Sequence, residues 1–181
     1  MAKYRRYRKY TRRGRGRWSA NIKTLTKQTI QATTGSFFGI TDLCLNPIQS
    51  DTTVSQQYTV KNIEISFEIE GPQNNIGNTS GVEGLTSYIM FVPQGMTVTE
   101  TYPNTHPEYI MAYRFLGSPN LELSSSAGLA LNPGRNPLRV KTRMARRLQT
   151  GDKIILLVVG QSSVELNLEF NGIVRWWTKA N

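Results

Sequence analysis

The chain has 181 residues, with 22 Lys and Arg against 12 Asp and Glu, one His, one Cys and a formal net charge of +10. A lone cysteine, Cys44, excludes an intrachain disulfide framework, and the longest apolar run, 154–159, is far short of the roughly 20 residues of a membrane helix. Nine of the cations lie in the first 17 residues, MAKYRRYRKYTRRGRGR, which hold no acid, so the rest of the chain carries 13 Lys and Arg against the 12 acids and is close to neutral.

Residues 1–18 read as an arm. Lys3, Arg5, Arg6, Arg8, Lys9, Arg12, Arg13, Arg15 and Arg17 supply its charge, Tyr4, Tyr7 and Tyr10 recur at every third position, and Trp18 closes it. So little apolar surface cannot offset the entropy lost on ordering. A concentrated cationic extension on a neutral body predicts a polyanion-binding arm, and nucleic acid is the default polyanion. Guanidinium groups hold phosphates while single-stranded bases stack on the rings, at about 1–3 kcal/mol per base. The alternative is a tail whose tyrosines have no particular role; any base will stack, so the pattern carries no sequence specificity. Gly14 and Gly16 oppose helix and suit a flexible tether. The Lys/Arg clusters also fit nuclear targeting and import receptors. The continuation, WSANIKTLTKQTIQATT, lacks the apolar stretch of a secretory signal, and neither membrane insertion nor a cofactor is expected.

Residues 19–181 are expected to form one domain. Segments 22–33 and 36–45 read as extended, separated by Thr34-Gly35 and ended by Asn46-Pro47. Residues 58–70, YTVKNIEISFEIE, give the clearest period of two: Ile63, Ile65, Phe67 and Ile69 alternate with Glu64, Ser66, Glu68 and Glu70. That predicts a half-buried strand with an acidic outer face. With no histidine nearby and no second carboxylate cluster, the glutamates read as a solvated face and not as metal ligands. Cys44 reads as a small buried hydrophobe.

Residues 71–84 form a Gly/Asn-rich loop that matches neither phosphate-binding glycine pattern. Strands follow at 85–92 and 109–116, joined by a loop carrying Pro103, His106 and Pro107. His106 is the only histidine, so neither a triad with a spare base nor a His-rich zinc site can be assembled, and it reads as a loop histidine with no designated role. After a polar stretch, 117–136, the run LRVKTRMARR places Arg139, Lys141 and Arg143 on one face of an extended segment. With Arg135, Arg146 and Arg147 they form a possible second basic patch. It reads as a phosphate contact, as a partner for the acidic face (Glu64, Glu68, Glu70) of another copy, or as plainly solvated charge. Strands at 153–160 and 164–178 end the chain. About eight strands, turn-rich loops and no amphipathic helix predict an all-β fold: an eight-stranded antiparallel sandwich behind a basic N-terminal arm.

The Arg/Tyr-rich start, VPQGM at 92–96, HPEYIMAYRFLG at 106–117 and LRVKTRMARRLQTGDKIILLVVG at 138–160 resemble, in that order, the capsid proteins of circovirus-like, Rep-encoding circular single-stranded DNA viruses. The resemblance implies a single jelly roll and a T=1 icosahedral shell of about sixty copies closed by symmetry. It also implies an arm facing the packaged genome, a virion location, and passage through the host nucleus during assembly. Fully extended, 17 residues reach about 55–60 Å, enough to run along an inner wall. Two other readings fit the same charge pattern: the coat protein of a satellite RNA virus, and a cellular nucleic-acid-binding module with a basic tail. An enzyme fits worst, for no motif supplies a catalytic constellation.

Overall fold

The computed structural model describes residues 17–46, 57–70, 82–117, 122–124, 128–130, 138–163 and 165–180. Its strands are β1 (Ser19–Ala32), β2 (Gly35–Leu45), β3 (Tyr58–Glu70), β4 (Val82–Val92), β5 (Ile110–Gly117), β6 (Glu122–Ser124), β7 (Gly128–Ala130), β8 (Leu138–Lys141), β9 (Ala145–Leu148), β10 (Lys153–Ser162) and β11 (Leu166–Ala180). A four-residue helix, α1 (Tyr102–Thr105), and a 3-10 turn (Pro107–Tyr109) lie between β4 and β5.

The smaller sheet has the order β2-β10-β4-β5. The larger runs β1-β11-β3, with β8 and β9 in turn along the far side of β3 and the β6–β7 hairpin at the Glu70 end. All pairings are antiparallel. Counting β8 and β9 as one interrupted strand gives β1-β11-β3-β8/β9 facing β2-β10-β4-β5. This is the eight-stranded jelly roll, as the strand count predicted, with one added hairpin. The interruption has a local cause. Thr142 sends its N–H to the Ile63 carbonyl, and its Oγ1 accepts from the Met144 N–H, so the chain kinks there.

Alternation decides which residues enter the sandwich. Ile63, Ile65, Phe67 and Ile69 of β3 are at most 1% exposed, and Phe67 meets Phe170 of β11 edge to face at 5.5 Å. Each such side chain contributes roughly 1.5–3 kcal/mol by leaving water. β10 is apolar at every position of 154–158 because both of its faces are covered. Ile154, Leu156 and Val158 point into the sandwich, while Ile155 and Leu157 join Met90, Val92, Val98 and Tyr102 in a second, smaller core. The segment between β4 and β5, read from sequence as a loop, is therefore a cap on the outside of the smaller sheet.

Two bulges interrupt the larger sheet, at Lys27 in β1 and Asn62 in β3, where φ is +47° and +51°. Such residues re-aim a strand by inserting one position into the ladder. The first is anchored by Asn171, whose Oδ1 accepts from the Lys27 N–H at 2.8 Å.

Candidate nucleic-acid interface

Register fixes what the outer face of the larger sheet presents. Because Ile63, Ile65 and Phe67 point inward, Glu64, Ser66 and Glu68 point out, and their cross-strand partners point out with them. Row by row across β11, β3 and β8 or β9, the face reads Lys179, Thr59, Arg147; then Trp177, Lys61, Ala145; then Arg175, Glu64, Lys141; then Ile173, Ser66, Arg139. These four rows hold six cations and one acid, Glu64. Beyond them the sign reverses: Asn171 lies opposite Glu68, and Glu169 opposite Glu70. The face is polarised along its strands.

Trp18 stands at the basic end. Its ring is 37% exposed, and the Lys61 Nζ lies 3.9 Å from the ring centroid. Arg17 is exposed beside it. The cationic end of the sheet is thus where the arm begins. The other arm residues named above, Lys3, Tyr4, Arg5, Arg6, Tyr7, Arg8, Lys9, Tyr10, Arg12, Arg13 and Arg15, lie outside the described residues, as does Arg135.

The second basic patch divides. Arg139, Lys141 and Arg147 are exposed on this face, and Arg143 is exposed on the kink between β8 and β9. Lys141 approaches Glu64 of its own chain at 4.0 Å. The acidic strand is thus neighboured within the chain. An exposed pair at this distance is worth at most about 1 kcal/mol. Arg146 does not join the patch. It pairs with inward-facing Val60, donates from Nη2 to the Glu108 carbonyl, and sits over the Phe91 ring at 5.4 Å. Positions 139, 141, 145 and 147 all face outward, so Arg146, which shares the even parity of buried Val140, Thr142 and Leu148, turns under the cap.

Three further cations complete the face: Lys61, Arg175 and Lys179. The run VRWWTK in β11 holds the signal for two of them, since Arg175 and Lys179 share their parity with Trp177 and oppose that of Val174 and Trp176. Lys61 precedes a bulge, and no pattern in the sequence announces the bulge.

His106 belongs to the cap. Its Nδ1 is 3.3 Å from the Glu108 carboxylate, and its ring contacts Tyr102 at 4.8 Å and Tyr109 at 5.4 Å. Burial pushes the Tyr102 hydroxyl up to about 12, with Tyr109 and Glu108 adding to the shift. Cys44 is buried in the main core, and burial raises its thiol to about 12. Among the described residues, no three His, Cys, Asp or Glu side chains converge as a metal site.

No family model matches the sequence, and no curated protein does. Among solved structures, the chain is similar to one from a single-particle structure of Maize Chlorotic Mottle Virus, at 10% identity over 89% of this chain and 92% of that one, with a TM-score of 0.36. It is also similar to a crystal structure of the infectious bursal disease virus VP2 subviral particle, at 11% identity over 89% of this chain and 41% of that one, with a TM-score of 0.24. At this level of identity and superposition, function has to be argued from the chain's own residues.

Proposed function

We infer that the chain is a structural capsid protein, without enzymatic activity, made of a basic arm (1–18) and a jelly-roll capsid domain (19–181). Copies of it assemble into a small icosahedral shell, T=1 with about sixty subunits, and package single-stranded DNA through the arm. The observation that carries this reading is where Arg17 and Trp18 stand: at the cationic end of a sheet face whose other end carries Glu68 and Glu169. An arm rooted there extends the basic face and turns it toward a genome.

The opposite side of the sandwich supports assembly. On the outer face of the smaller sheet, Phe38, Ile40, Tyr113 and Phe115 are 39%, 41%, 68% and 66% exposed. They stand on the two edge strands of that sheet, β2 and β5; large apolar side chains exposed on one face mark contact surfaces, and neighbouring copies in a shell would cover them. The arm's Lys/Arg clusters serve as a nuclear localisation signal, which places assembly in the host nucleus and the product in the virion.

Electron microscopy of the purified protein tests the reading. Closed particles of uniform diameter are expected, and a monomer in both micrographs and sedimentation would overturn it. Nuclease treatment of nucleic acid extracted from the particles then separates DNA from RNA, because phosphate contact and stacking serve both.

A further inference from the structure

Two adjoining cavities open on the outer face of the larger sheet. The larger, about 350 Å³, lies beside the β1 bulge; Thr24, Glu68, Asn171 and Ile173 are among its walls, and Leu25 and Phe67 border it with side chains turned into the core. Ile173, 44% exposed, is the large apolar side chain on its solvent-facing wall. The smaller, about 190 Å³, is lined by Arg139 and Arg175 with Ser66, Glu64 and Ile173. Ser66 and Ile173 line both, so the two lie side by side.

The chemistry of the pair is that of a nucleotide. A slot of this size falls within the roughly 300–1,000 Å³ of ligand clefts, and the exposed Ile173 side chain gives a flat ring an apolar surface to lie against. The neighbouring recess offers two guanidinium groups and a hydroxyl, and arginine is the residue best matched to phosphate oxygens. Glu64 does not close the recess to anions, because Lys141 stands 4.0 Å from its carboxylate, and Arg139 and Arg175 remain in excess. At the slot, the Glu68 carboxylate is an acceptor only. Among the bases, guanine presents two adjacent N–H donors, at N1 and on the N2 amine, while thymine presents one.

We propose that this composite cavity holds one nucleotide of single-stranded nucleic acid, its base in the slot and its phosphate between Arg139 and Arg175, with guanine preferred through Glu68. The proposal rests on the packaging reading and refines it: the arm binds without sequence preference, whereas this site adds a base preference on the rigid sheet.

The test is calorimetric titration of the full-length protein with deoxyguanosine 5′-monophosphate and, separately, thymidine 5′-monophosphate. Saturable binding with preference for the guanine nucleotide is expected. Arg139→Ala combined with Arg175→Ala should weaken it at least about tenfold, as loss of charge-assisted phosphate contacts requires. Thr24→Trp, at an exposed β1 position lining the slot, should abolish base binding, and Glu68→Gln should level the two nucleotides. Unchanged binding in Thr24→Trp, or equal affinity for the two nucleotides in the unsubstituted protein, overturns the proposal. The two readings fail separately. Particles that carry nucleic acid, with Thr24→Trp still binding the nucleotide, sink only the site. Loss of nucleotide binding in Thr24→Trp, with no particles formed by the unsubstituted protein, sinks only the shell.

Discussion

The Lys61 ammonium lies over the Trp18 ring, Nζ 3.9 Å from the centroid, and this contact joins the start of β1 to β3, two strands away in the larger sheet. A cation–π contact at an exposed site is worth about 0.5–1 kcal/mol, enough to bias where the arm departs and too little to hold the fold. Deleting residues 1–17 should therefore leave the melting temperature nearly unchanged. It should flatten the dependence of log affinity for single-stranded DNA on log salt by about 6, from about 0.7 per phosphate over nine cations. Fluorescence anisotropy with a labelled oligonucleotide at several salt concentrations measures it; a slope unchanged by the deletion would sink the arm's role.

Glu64 is the one acid in the four basic rows, placed between Arg175 and Lys141. Glu64→Gln removes a weak, exposed pair and should cost under about 1 kcal/mol. It also removes the one repulsive charge facing an incoming strand, so affinity for single-stranded DNA should rise at low salt. Weaker binding in this variant would show that Glu64 positions its cationic neighbours and is not merely tolerated among them.

Where the strands lie was legible because burial imposes parity. Ile63, Ile65, Phe67 and Ile69 predicted the inner face of β3, and the bounds of β2 and β3 match the structure within a residue. What failed has two physical sources. Bulges at Lys27 and Asn62 change parity without a signature in composition, and Arg146, grouped with the basic patch by its sequence neighbours, has the inward parity of Val140 and Leu148. Short elements also escape a reading built on runs: β6 and β7 have three residues each, and the cap buries Tyr102 from a stretch whose prolines announce only turns. The basic face suffered most, since it joins cations from β3, β8, β9 and β11, and only register brings them together.

Arg146 and Arg147 are adjacent in sequence and opposite in role. Arg146→Ala should destabilise the fold by about 1–2 kcal/mol, through the lost carbonyl contact to Glu108 and the lost packing on Phe91. The salt dependence of DNA binding should stay as it was. Arg147→Ala should do the reverse, with stability held and the slope reduced by up to about 0.7. Chemical denaturation and oligonucleotide binding on the same two proteins decide between the assignments.

Asp152 ties together the loops at one end of the sandwich. Its carboxylate accepts from the N–H of Gln94 at 3.0 Å and of Gln149 at 2.8 Å, and its carbonyl accepts from the Asn46 N–H at 3.0 Å. It is 7% exposed, so both N–H groups lose their acceptor if the carboxylate is removed. Asp152→Ala should cost about 2–3 kcal/mol, the cost of leaving donors unpaired, and Asp152→Asn, which keeps one acceptor, should cost less. Urea midpoints of the two variants give the order.

Cys44 makes alkaline stability a probe of the core. Burial lifts its thiol from 9.0 to about 12 in the folded chain. Between those values the unfolded chain has released a proton that the folded chain keeps, so stability falls as pH rises; below pH 9 the contribution is constant. Tyr58 and Tyr102 are also raised to about 12, but from 10.0, so their share of the slope begins one pH unit later. The window between pH 9 and pH 10 belongs to Cys44. There the melting temperature of the natural chain should fall more steeply than that of Cys44→Ala, although the variant starts lower by about 1 kcal/mol for the small cavity it creates. Parallel curves across this window would mean that the thiol reaches water in the native protein, and it would then react with a disulfide reagent without unfolding.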